Sequence, residues 1–142
     1  MTRYSRQISL PESGEGGQEK LHKARVLIVG AGGLGSPAAL YLAGAGVGTI
    51  GLADDDTVGI SNLQRQVLYT ENEVGQLKVH CAAQRLRALN GNIEVHAYPF
   101  RLNRENARRL IADYDIVVDG CDNFSTRYLT VSYTHLTLPT IA

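Results

Sequence analysis

The feature that most constrains the fold is a glycine-rich turn, Gly30-Ala-Gly32-Gly33-Leu-Gly35, which follows an apolar, β-branched run from Arg25 to Gly30. Such a run is typical of a strand buried on both faces, and strands of this kind belong to parallel sheets. Small residues and leucines from Gly35 to Ala45 then predict a helix packed closely on the strand, and Gly46 and Gly48 end it. A strand, a glycine turn and a helix in this order predict a site for a nucleotide phosphate. A purely structural tight turn is the alternative.

The rest of the chain repeats the alternation of strand and helix. We predict strands at Thr49–Asp54, Ile93–Tyr98 and Ile116–Asp119, and helices at Gln76–Asn90 and Asn103–Ala112. Asn103 is the expected cap of its helix, and Asn90-Gly91 is expected to end the preceding helix with residues that tolerate left-handed dihedrals. The pattern predicts an α/β fold with a doubly wound, Rossmann-like, mostly parallel sheet, truncated after the fourth strand.

A length of 142 residues suits one domain. We expect an N-terminal arm over residues 1–23, with a short helix at Gln18–Lys23, and an incomplete nucleotide-binding domain over residues 24–129. Residues 130–142 form an anomalous tail, since no charged residue occurs from Tyr128 to Ala142 and threonines recur. The tail resembles translated linker or adapter sequence. Its residues favour a strand at a point where the alternation of strand and helix predicts a helix.

Composition excludes several classes of protein. Lys and Arg number 14, as do Asp and Glu, so the chain lacks the basic excess of a nucleic-acid binder. No apolar run reaches the length of about 20 residues that spans a membrane. The two cysteines, Cys81 and Cys121, lie forty positions apart and form no CxxC pair, so the sequence predicts neither a disulfide framework nor a zinc motif. We expect a cytoplasmic protein without a membrane or nucleic-acid partner.

An acidic triplet, Asp54-Asp55-Asp56, ends the second predicted strand about twenty residues after the glycine turn. A carboxylate at Asp54 can accept hydrogen bonds from ribose hydroxyls. NAD and ATP satisfy this pattern equally well. An ordinary acidic residue at a strand end is the alternative, more so for Asp55 and Asp56.

Two cations favour ATP. The segment Ser61-Asn62-Leu63-Gln64-Arg65-Gln66 follows the triplet, and Lys78 lies in the first turn of the next predicted helix. A lysine there opposes the helix dipole unless an anion compensates it. Arg65 and Lys78 converging on one point would suit a triphosphate, whereas hydride transfer gains little from them. Solvated surface charges are the alternative for both.

The fourth predicted strand ends in Asp119-Gly-Cys-Asp122-Asn123. In an open α/β sheet, ligands bind beyond the carboxyl ends of strands where the strand order reverses, so Asp122 is expected to face the crevice of the glycine turn. An aspartate beside phosphates is a good Mg²⁺ ligand. A helix cap is the alternative for Asp122 and Asn123. Cys81 is expected to be a core residue.

Taken together, these residues resemble the MoeB/ThiF/HesA family, the bacterial relatives of ubiquitin-activating enzymes. The matching segments occur in order from residue 3 to about residue 129: Arg3-Tyr-Ser-Arg6-Gln-Ile8, Gly30-Ala-Gly-Gly-Leu-Gly-Ser36, Asp54-Asp-Asp-Thr-Val58, Ser61-Asn-Leu-Gln-Arg-Gln66, Lys78, Asn90 and Asp119-Gly-Cys-Asp-Asn123. The pairing of the glycine turn with the Ser61–Gln66 segment is the most specific part of this resemblance.

The resemblance implies an ATP-dependent adenylylation. The C-terminal carboxylate of a small ubiquitin-like sulfur-carrier protein, of the molybdopterin or thiamine biosynthesis type, attacks the α-phosphate and pyrophosphate leaves. The implied nucleotide-binding residues are Gly30, Gly32, Gly33, Gly35, Asp54, Asp56, Ser61, Asn62, Leu63, Gln64, Arg65, Lys78, Asp122 and Asn123.

Four of the family's catalytic positions fall on Arg6, Arg65, Lys78 and Asp122. Arg65 and Lys78 would neutralise phosphate charge, and Asp122 would bind Mg²⁺. Arg6 would reach a phosphate of a partner subunit, which implies a symmetric homodimer.

The family's second half, with the carrier-docking sheet, a crossover-loop cysteine and the zinc-binding cysteine pairs, has no counterpart here. We therefore expect a fragment that is inactive and poorly soluble alone, with structural zinc only in the missing C-terminal part. Two other functions stay open, a non-catalytic ATP-binding relic and a fragment of an NAD-dependent dehydrogenase.

Overall fold

The computed structural model of the chain describes residues 3–12 and 14–120, and the backbone of residues 140–141. The strands are β1 (Arg25–Val29), β2 (Thr49–Ala53), β3 (Glu94–Tyr98), β4 (Ile116–Asp119) and β5 (Thr140–Ile141). The helices are α1 (Ser5–Ile8), α2 (Gly14–Lys23), α3 (Gly35–Ala45), α4 (Lys78–Leu89) and α5 (Ala107–Ala112). Two 3₁₀ turns, Ile60–Asn62 and Glu71–Glu73, lie between β2 and α4.

The described strands form one parallel sheet in the order β3-β2-β1-β4-β5. From β1 the chain moves outward to β2 and β3, then crosses back to place β4 on the other side of β1. The strand order therefore reverses beside β1, as a doubly wound α/β fold requires, and the predicted fold class is confirmed. Ligands of such sheets bind beyond the carboxyl ends of the strands at this reversal.

Strand β1 is buried on both faces, which explains its continuous apolar sequence. Val26 and Ile28 pack in the hydrophobic cluster that α3 and α4 cover. Leu27 and Val29 pack in a second cluster, which α5 and Tyr114 cover on the opposite face. Successive strand residues point to opposite faces, so a strand between two helical layers must be apolar throughout.

The N-terminal helices lie at the amino ends of the strands. The Ala45 carbonyl oxygen, at the end of α3, accepts hydrogen bonds from the side-chain amides of Gln7 (2.7 Å) and Gln18 (3.1 Å). The side-chain amide of buried Asn90 donates to the Tyr4 hydroxyl (2.7 Å) and to the Ala43 carbonyl (2.9 Å). The two glutamine amides thus satisfy the Ala45 carbonyl at the end of α3, while the Asn90 amide is a second donor to the Ala43 carbonyl, which also accepts the Gly46 N–H (3.2 Å). Among the described helices, none is long and apolar enough to span a bilayer.

Several boundaries differ from the sequence predictions. Asn90 ends α4 in extended backbone (φ −143°) and not in a left-handed conformation, because its side chain is committed to the bonds with Tyr4 and Ala43. Helix α5 begins at Ala107, and Asn103 instead caps the turn before it, accepting the N–H groups of Glu105 (2.9 Å) and Asn106 (3.0 Å). A local Asn turn thus replaces the first predicted helical turn.

The last described residues add a strand that the sequence does not predict. Thr140 and Ile141 pair in parallel with Val117 and Val118 of β4. Residues 121–139 and 142 lie outside the described part, so the assignment of residues 130–142 to an anomalous tail, like the other domain boundaries, stays a prediction.

The turn after β1 brings strand and helix together backbone to backbone. Gly30 has φ +92°, which a side chain would disfavour, and a Cβ on Gly35 would overlap the Gly30 carbonyl oxygen. Across the strand reversal, a Cβ on Gly120 would lie 2.9 Å from the Gly35 nitrogen. The fold therefore requires glycine at 30 and 35 for the turn and for helix packing, and the predicted contacts of both residues with a nucleotide stay predictions.

We expect Gly35→Ala to lower the free energy of unfolding by about 3 kcal/mol or more, at the upper end of the cost of overpacking, because the Gly30 backbone has to move. Gly44→Ala is the matched control, since Gly44 lies in the same helix with open space around its Cα. It should stabilise by about 0.5–1 kcal/mol through helix propensity. Urea unfolding of both variants measures the difference, and equal effects would contradict the steric account.

Candidate functional site

The glycine turn lies at the carboxyl end of β1. The Gly30 N–H donates to the Ala53 carbonyl of β2 (2.8 Å), and Gly33 and Leu34 are exposed. Within the described residues, no acceptor receives the N–H groups of Gly32, Gly33 or Leu34. Free N–H groups at the start of an α-helix attract anions.

Asp54 holds the turn in place. One carboxylate oxygen, Oδ2, accepts the Ala31 N–H (2.7 Å), and the other, Oδ1, accepts the Asp56 N–H (2.8 Å). A carboxylate offers about four acceptor positions, so two remain for ribose hydroxyls. The structure thus gives Asp54 a bracing role beside its predicted role in ribose binding.

Two buried residues of the site, Gln66 and Tyr69, are not among the predicted site residues. The Tyr69 hydroxyl donates to the Ala31 carbonyl (2.6 Å), and the Nε2 of Gln66 lies 3.4 Å from where a Cβ on Gly32 would be. Gln66 belongs to the Ser61–Gln66 segment and could have been found there, whereas nothing in the local sequence marks Tyr69. Burial, reinforced by the Asp54 carboxylate, raises the pKa of Tyr69 well above its usual range, so the hydroxyl keeps its proton.

Lys78 lies in the first turn of α4, as predicted, although the helix begins at Lys78 and not at Gln76, and only 4% of Lys78 is exposed. Its ammonium Nζ lies 3.5 Å from the Asp56 carboxylate, which is itself exposed. A buried lysine needs compensating charge. The structure shows that Asp56 supplies part of it, at a distance long for a hydrogen bond.

The Ser61–Gln66 segment places Arg65 against the turn. The Arg65 Nη1 donates to the Ser61 carbonyl (3.3 Å), and its Nε lies 3.9 Å from where a Cβ on Gly33 would be. Arg65, Ser61 and Gln64 are exposed. Arg65 and Lys78 thus both lie at the carboxyl end of the sheet, Arg65 beside Gly33 and Lys78 beside Asp56.

Asn62 and Leu63 already have structural partners. The Asn62 Oδ1 accepts the Gly59 N–H (2.9 Å), and Leu63 packs on the core. Their predicted contacts with a nucleotide stay predictions.

Three predicted residues are not brought to this turn by the described part of the chain. Arg6 is exposed on α1, at the amino ends of the strands, because α1 is anchored near Ala45 through Gln7. Asp122 and Asn123 lie outside the described residues. Residues 3–12 and 14–120 contain no cluster of three His, Cys, Asp or Glu side chains that could hold a metal ion.

The sequence matches the ThiF family over residues 4–140. This chain belongs to the ThiF family. It is 54% identical over 129 residues to the sulfur carrier protein adenylyltransferase of Thermus thermophilus, covering 91% of this chain and 48% of that one. It is 56% identical over 129 residues to the adenylyltransferase and sulfurtransferase MOCS3 of Anopheles gambiae, covering 91% of this chain and 29% of that protein.

Solved structures agree with this family assignment. The Escherichia coli tRNA N6-threonylcarbamoyladenosine dehydratase TcdA, in complex with ATP, superposes with a TM-score of 0.91 at 28% identity. The match covers 97% of this chain and 57% of TcdA. The ThiF-family chain thus spans about half the length, or less, of the relatives that it matches.

The Asp54 contacts predict a stability effect that is independent of any ligand. Asp54→Asn should lower the free energy of unfolding by about 1–3 kcal/mol, because an amide offers one acceptor oxygen to the two N–H groups of Ala31 and Asp56. Asp55→Asn is the matched control: Asp55 is exposed, makes no hydrogen bond within the described residues, and should stay within about 0.5 kcal/mol. Chemical denaturation of both variants decides, and equal losses would contradict the bracing role.

The core of the ThiF-family chain contains Cys81, which is 2% exposed, as predicted for a core residue. Burial, with the nearby Glu73 charge second, raises the pKa of the Cys81 thiol from its ordinary value of 9.0 to about 11. Burial likewise raises the pKa of Tyr114, with its hydrogen bond to Tyr98 as the second cause. The thiol is therefore protonated and a poor nucleophile at neutral pH.

Alkaline pH should therefore destabilise the fold. Between pH 9 and 11 the unfolded Cys81 loses its proton while the folded one keeps it, so the free energy of unfolding falls as pH rises through this window. Tyr69 and Tyr114, whose pKa values are also raised, add to the fall from about pH 10 upward. Urea titrations at several pH values measure the slope, which should be shallower in Cys81→Ala. A slope unchanged by that substitution would contradict the assignment.

Proposed function

We propose that this chain forms the ATP-binding part of an enzyme that adenylylates the C-terminal carboxylate of a small ubiquitin-like sulfur-carrier protein, of the molybdopterin or thiamine type. The observation that carries the proposal is the turn itself. Unpaired N–H groups at Gly32–Leu34 lie beside Arg65 and close to Asp54, a carboxylate that keeps free acceptor positions. A second cation, Lys78, lies at the same end of the sheet, beside Asp56. The names of the relatives in Thermus and Anopheles support the reaction class.

Binding of ATP would use the turn and Asp54 together. The N–H groups of Gly32 and Gly33 would meet phosphate oxygens at the start of α3, where the helix dipole adds roughly half a positive charge. The free acceptor positions of Asp54 would take ribose hydroxyls. Because Asp54 also braces Ala31, ribose binding and the shape of the turn would be coupled.

The chemical step would depend on charge and positioning. A carrier carboxylate oxygen forms a bond to the α-phosphorus, and the bond from that phosphorus to the oxygen bridging to the β-phosphate breaks, releasing pyrophosphate. Arg65 would stabilise negative charge on the phosphates, as would Lys78, whose ammonium has donors beyond the long contact to Asp56. The in-line arrangement of the carboxylate and the leaving group would supply much of the rate enhancement.

Asp122 remains the proposed Mg²⁺ ligand, with Asn123 beside it. Gly120, directly after β4, packs on Gly35, so the described chain reaches the turn two residues before Asp122 in sequence. This supports the proposal, because a carboxylate at the turn would suit a metal shared with phosphates. Bound Mg²⁺ would neutralise phosphate charge. Any structural zinc would belong to a C-terminal part beyond this chain.

Arg6 would act in a homodimer. Its place at the amino ends of the strands keeps it from the turn of its own chain, which supports the proposal that it serves a partner subunit. Leu34, directly before α3, and Tyr41 on α3 are 64% and 80% exposed, an apolar surface suited to burial in such an assembly.

ATP binding tests the proposal directly. In calorimetry on the 142-residue chain, Mg·ATP should bind and NAD should not. Arg65→Ala and Lys78→Ala should each weaken ATP binding by about tenfold or more, because charge-assisted contacts contribute about 1.5–3 kcal/mol. Arg108→Ala is the matched control, since Arg108 is exposed on α5 and should leave affinity unchanged.

Binding of NAD in place of ATP, or equal losses in all three variants, would refute the proposal.

Pyrophosphate–ATP exchange in the presence of a sulfur carrier separates an enzyme from an ATP-binding relic. For the chain extended by its C-terminal part we expect exchange, and binding without exchange would indicate the relic.

A further inference from the structure

The peptide groups on either side of Ala31 are each held by a side-chain hydrogen bond. The Ala31 N–H donates to the Oδ2 of Asp54 (2.7 Å). The Ala31 carbonyl accepts the Tyr69 hydroxyl (2.6 Å). The hydroxyl of buried Ser36 lies 3.4 Å from the same carbonyl but bonds more closely to the Gly32 carbonyl. Two consecutive peptide planes at the base of the turn are therefore fixed by side chains.

This arrangement decides where the next N–H points. The Gly32 N–H belongs to the same peptide group as the Ala31 carbonyl, and in a trans peptide these two dipoles point in opposite directions. The Tyr69 hydroxyl holds the carbonyl toward the core, so the Gly32 N–H points away from the core. Consistently, no acceptor within the described residues receives that N–H.

We propose that Tyr69 is a positioning residue for nucleotide binding, whose hydroxyl holds the Ala31 carbonyl in the core and thereby aims the Gly32 N–H at a phosphate of ATP. This inference rests on the proposed function and adds a residue that touches no substrate. A hydrogen bond accepted by the carbonyl also polarises its peptide group, which strengthens the Gly32 N–H as a donor.

Tyr69 suits this role because it is rigid and always a donor. It is 5% exposed and belongs to the core cluster between the sheet and α4. Its N–H donates to the Gln66 carbonyl (3.3 Å), which ties it to the segment carrying Arg65. One structural unit therefore places both the Gly32 amide and the Arg65 guanidinium at the turn.

Tyr69→Phe tests the proposal, because it removes the hydroxyl and keeps the ring. We expect the dissociation constant for Mg·ATP to rise about five- to tenfold, the effect of one weakened hydrogen bond to phosphate. In NMR spectra of the ligand-free chain, the carbonyl ¹³C shift of Ala31 should change and the ¹⁵N order parameter of Gly32 should fall. A structural role alone would leave both the affinity and the Gly32 amide unchanged.

Tyr114→Phe is the matched control. Tyr114 is also a buried tyrosine, and its hydroxyl bonds to that of Tyr98 (2.7 Å) on the opposite face of the sheet. Its loss should lower stability without changing ATP affinity or the Gly32 signals. Equal behaviour of Tyr69→Phe and Tyr114→Phe in affinity and in Gly32 order would overturn the proposal.

The proposed function and the positioning role of Tyr69 can be refuted independently. If the wild-type chain binds no ATP, the proposed function fails for this chain. A lower ¹⁵N order parameter of Gly32 in Tyr69→Phe then still supports the proposal that Tyr69 orients the Gly32 amide. An unchanged order parameter overturns that proposal. Should Tyr69→Phe not fold, the wild-type spectrum decides: a slowly exchanging Tyr69 hydroxyl proton bonded to the Ala31 carbonyl and a high ¹⁵N order parameter of Gly32 are expected, and the absence of either overturns the proposal.

Discussion

The backbones of Gly30, Gly35 and Gly120 pack against one another, with no room for a Cβ at Gly35. This contact brings α3 directly onto the ends of β1 and β4, at the point where the strand order reverses. The start of α3, with its unpaired N–H groups, is thereby placed at the mouth of the crevice. A side chain at Gly35 would push α3 away from the end of β1. The backbone that supports the site would then be displaced, even with every proposed ligand-binding residue unchanged.

The charged side chains of the site also make structural contacts. Burying Lys78 is unfavourable unless an anion lies near, and Asp56 compensates it only at 3.5 Å and from an exposed position. The ammonium group, with its charge partly compensated, can therefore remain buried at the first turn of α4. Its remaining N–H donors can bind an anionic ligand. Asp54 shows the same dual use, because the carboxylate proposed for ribose also holds Ala31 and Asp56. Each of these side chains combines a structural contact with a proposed binding role, so substitutions at either residue should affect both stability and affinity.

The connection between β2 and α4 is the least regular part of the described chain, yet it carries most of the site. It is anchored at Asp54, at Tyr69 and at the pairing of Thr57 with Leu77. Between these anchors, the exposed Arg65 reaches back to Gly33. An irregular segment held by buried hydrogen bonds can place a cation more accurately than a free loop could. The relatives extend well beyond the matched region. Contacts with a carrier protein are therefore part of the proposed function and are not seen in the described residues.

The sequence by itself determined the parallel sheet, the helix α3 from Gly35 to Ala45, the position of Lys78 at the start of α4 and the glycine turn, because all of these depend on local periodicity and on residues with special backbone freedom. It also determined the family resemblance, since motifs are linear. Only the tertiary structure decided that Asp54 and Tyr69 bind the same residue, Ala31, at its N–H and its carbonyl, because these hydrogen bonds join segments 23 and 38 residues apart in sequence. It likewise decided that Asn90 turns its side chain inward to Tyr4 and Ala43, where local propensity favours a left-handed helix end. Local patterns cannot encode such choices, because the partners that satisfy a buried polar group are known only once the chain has folded.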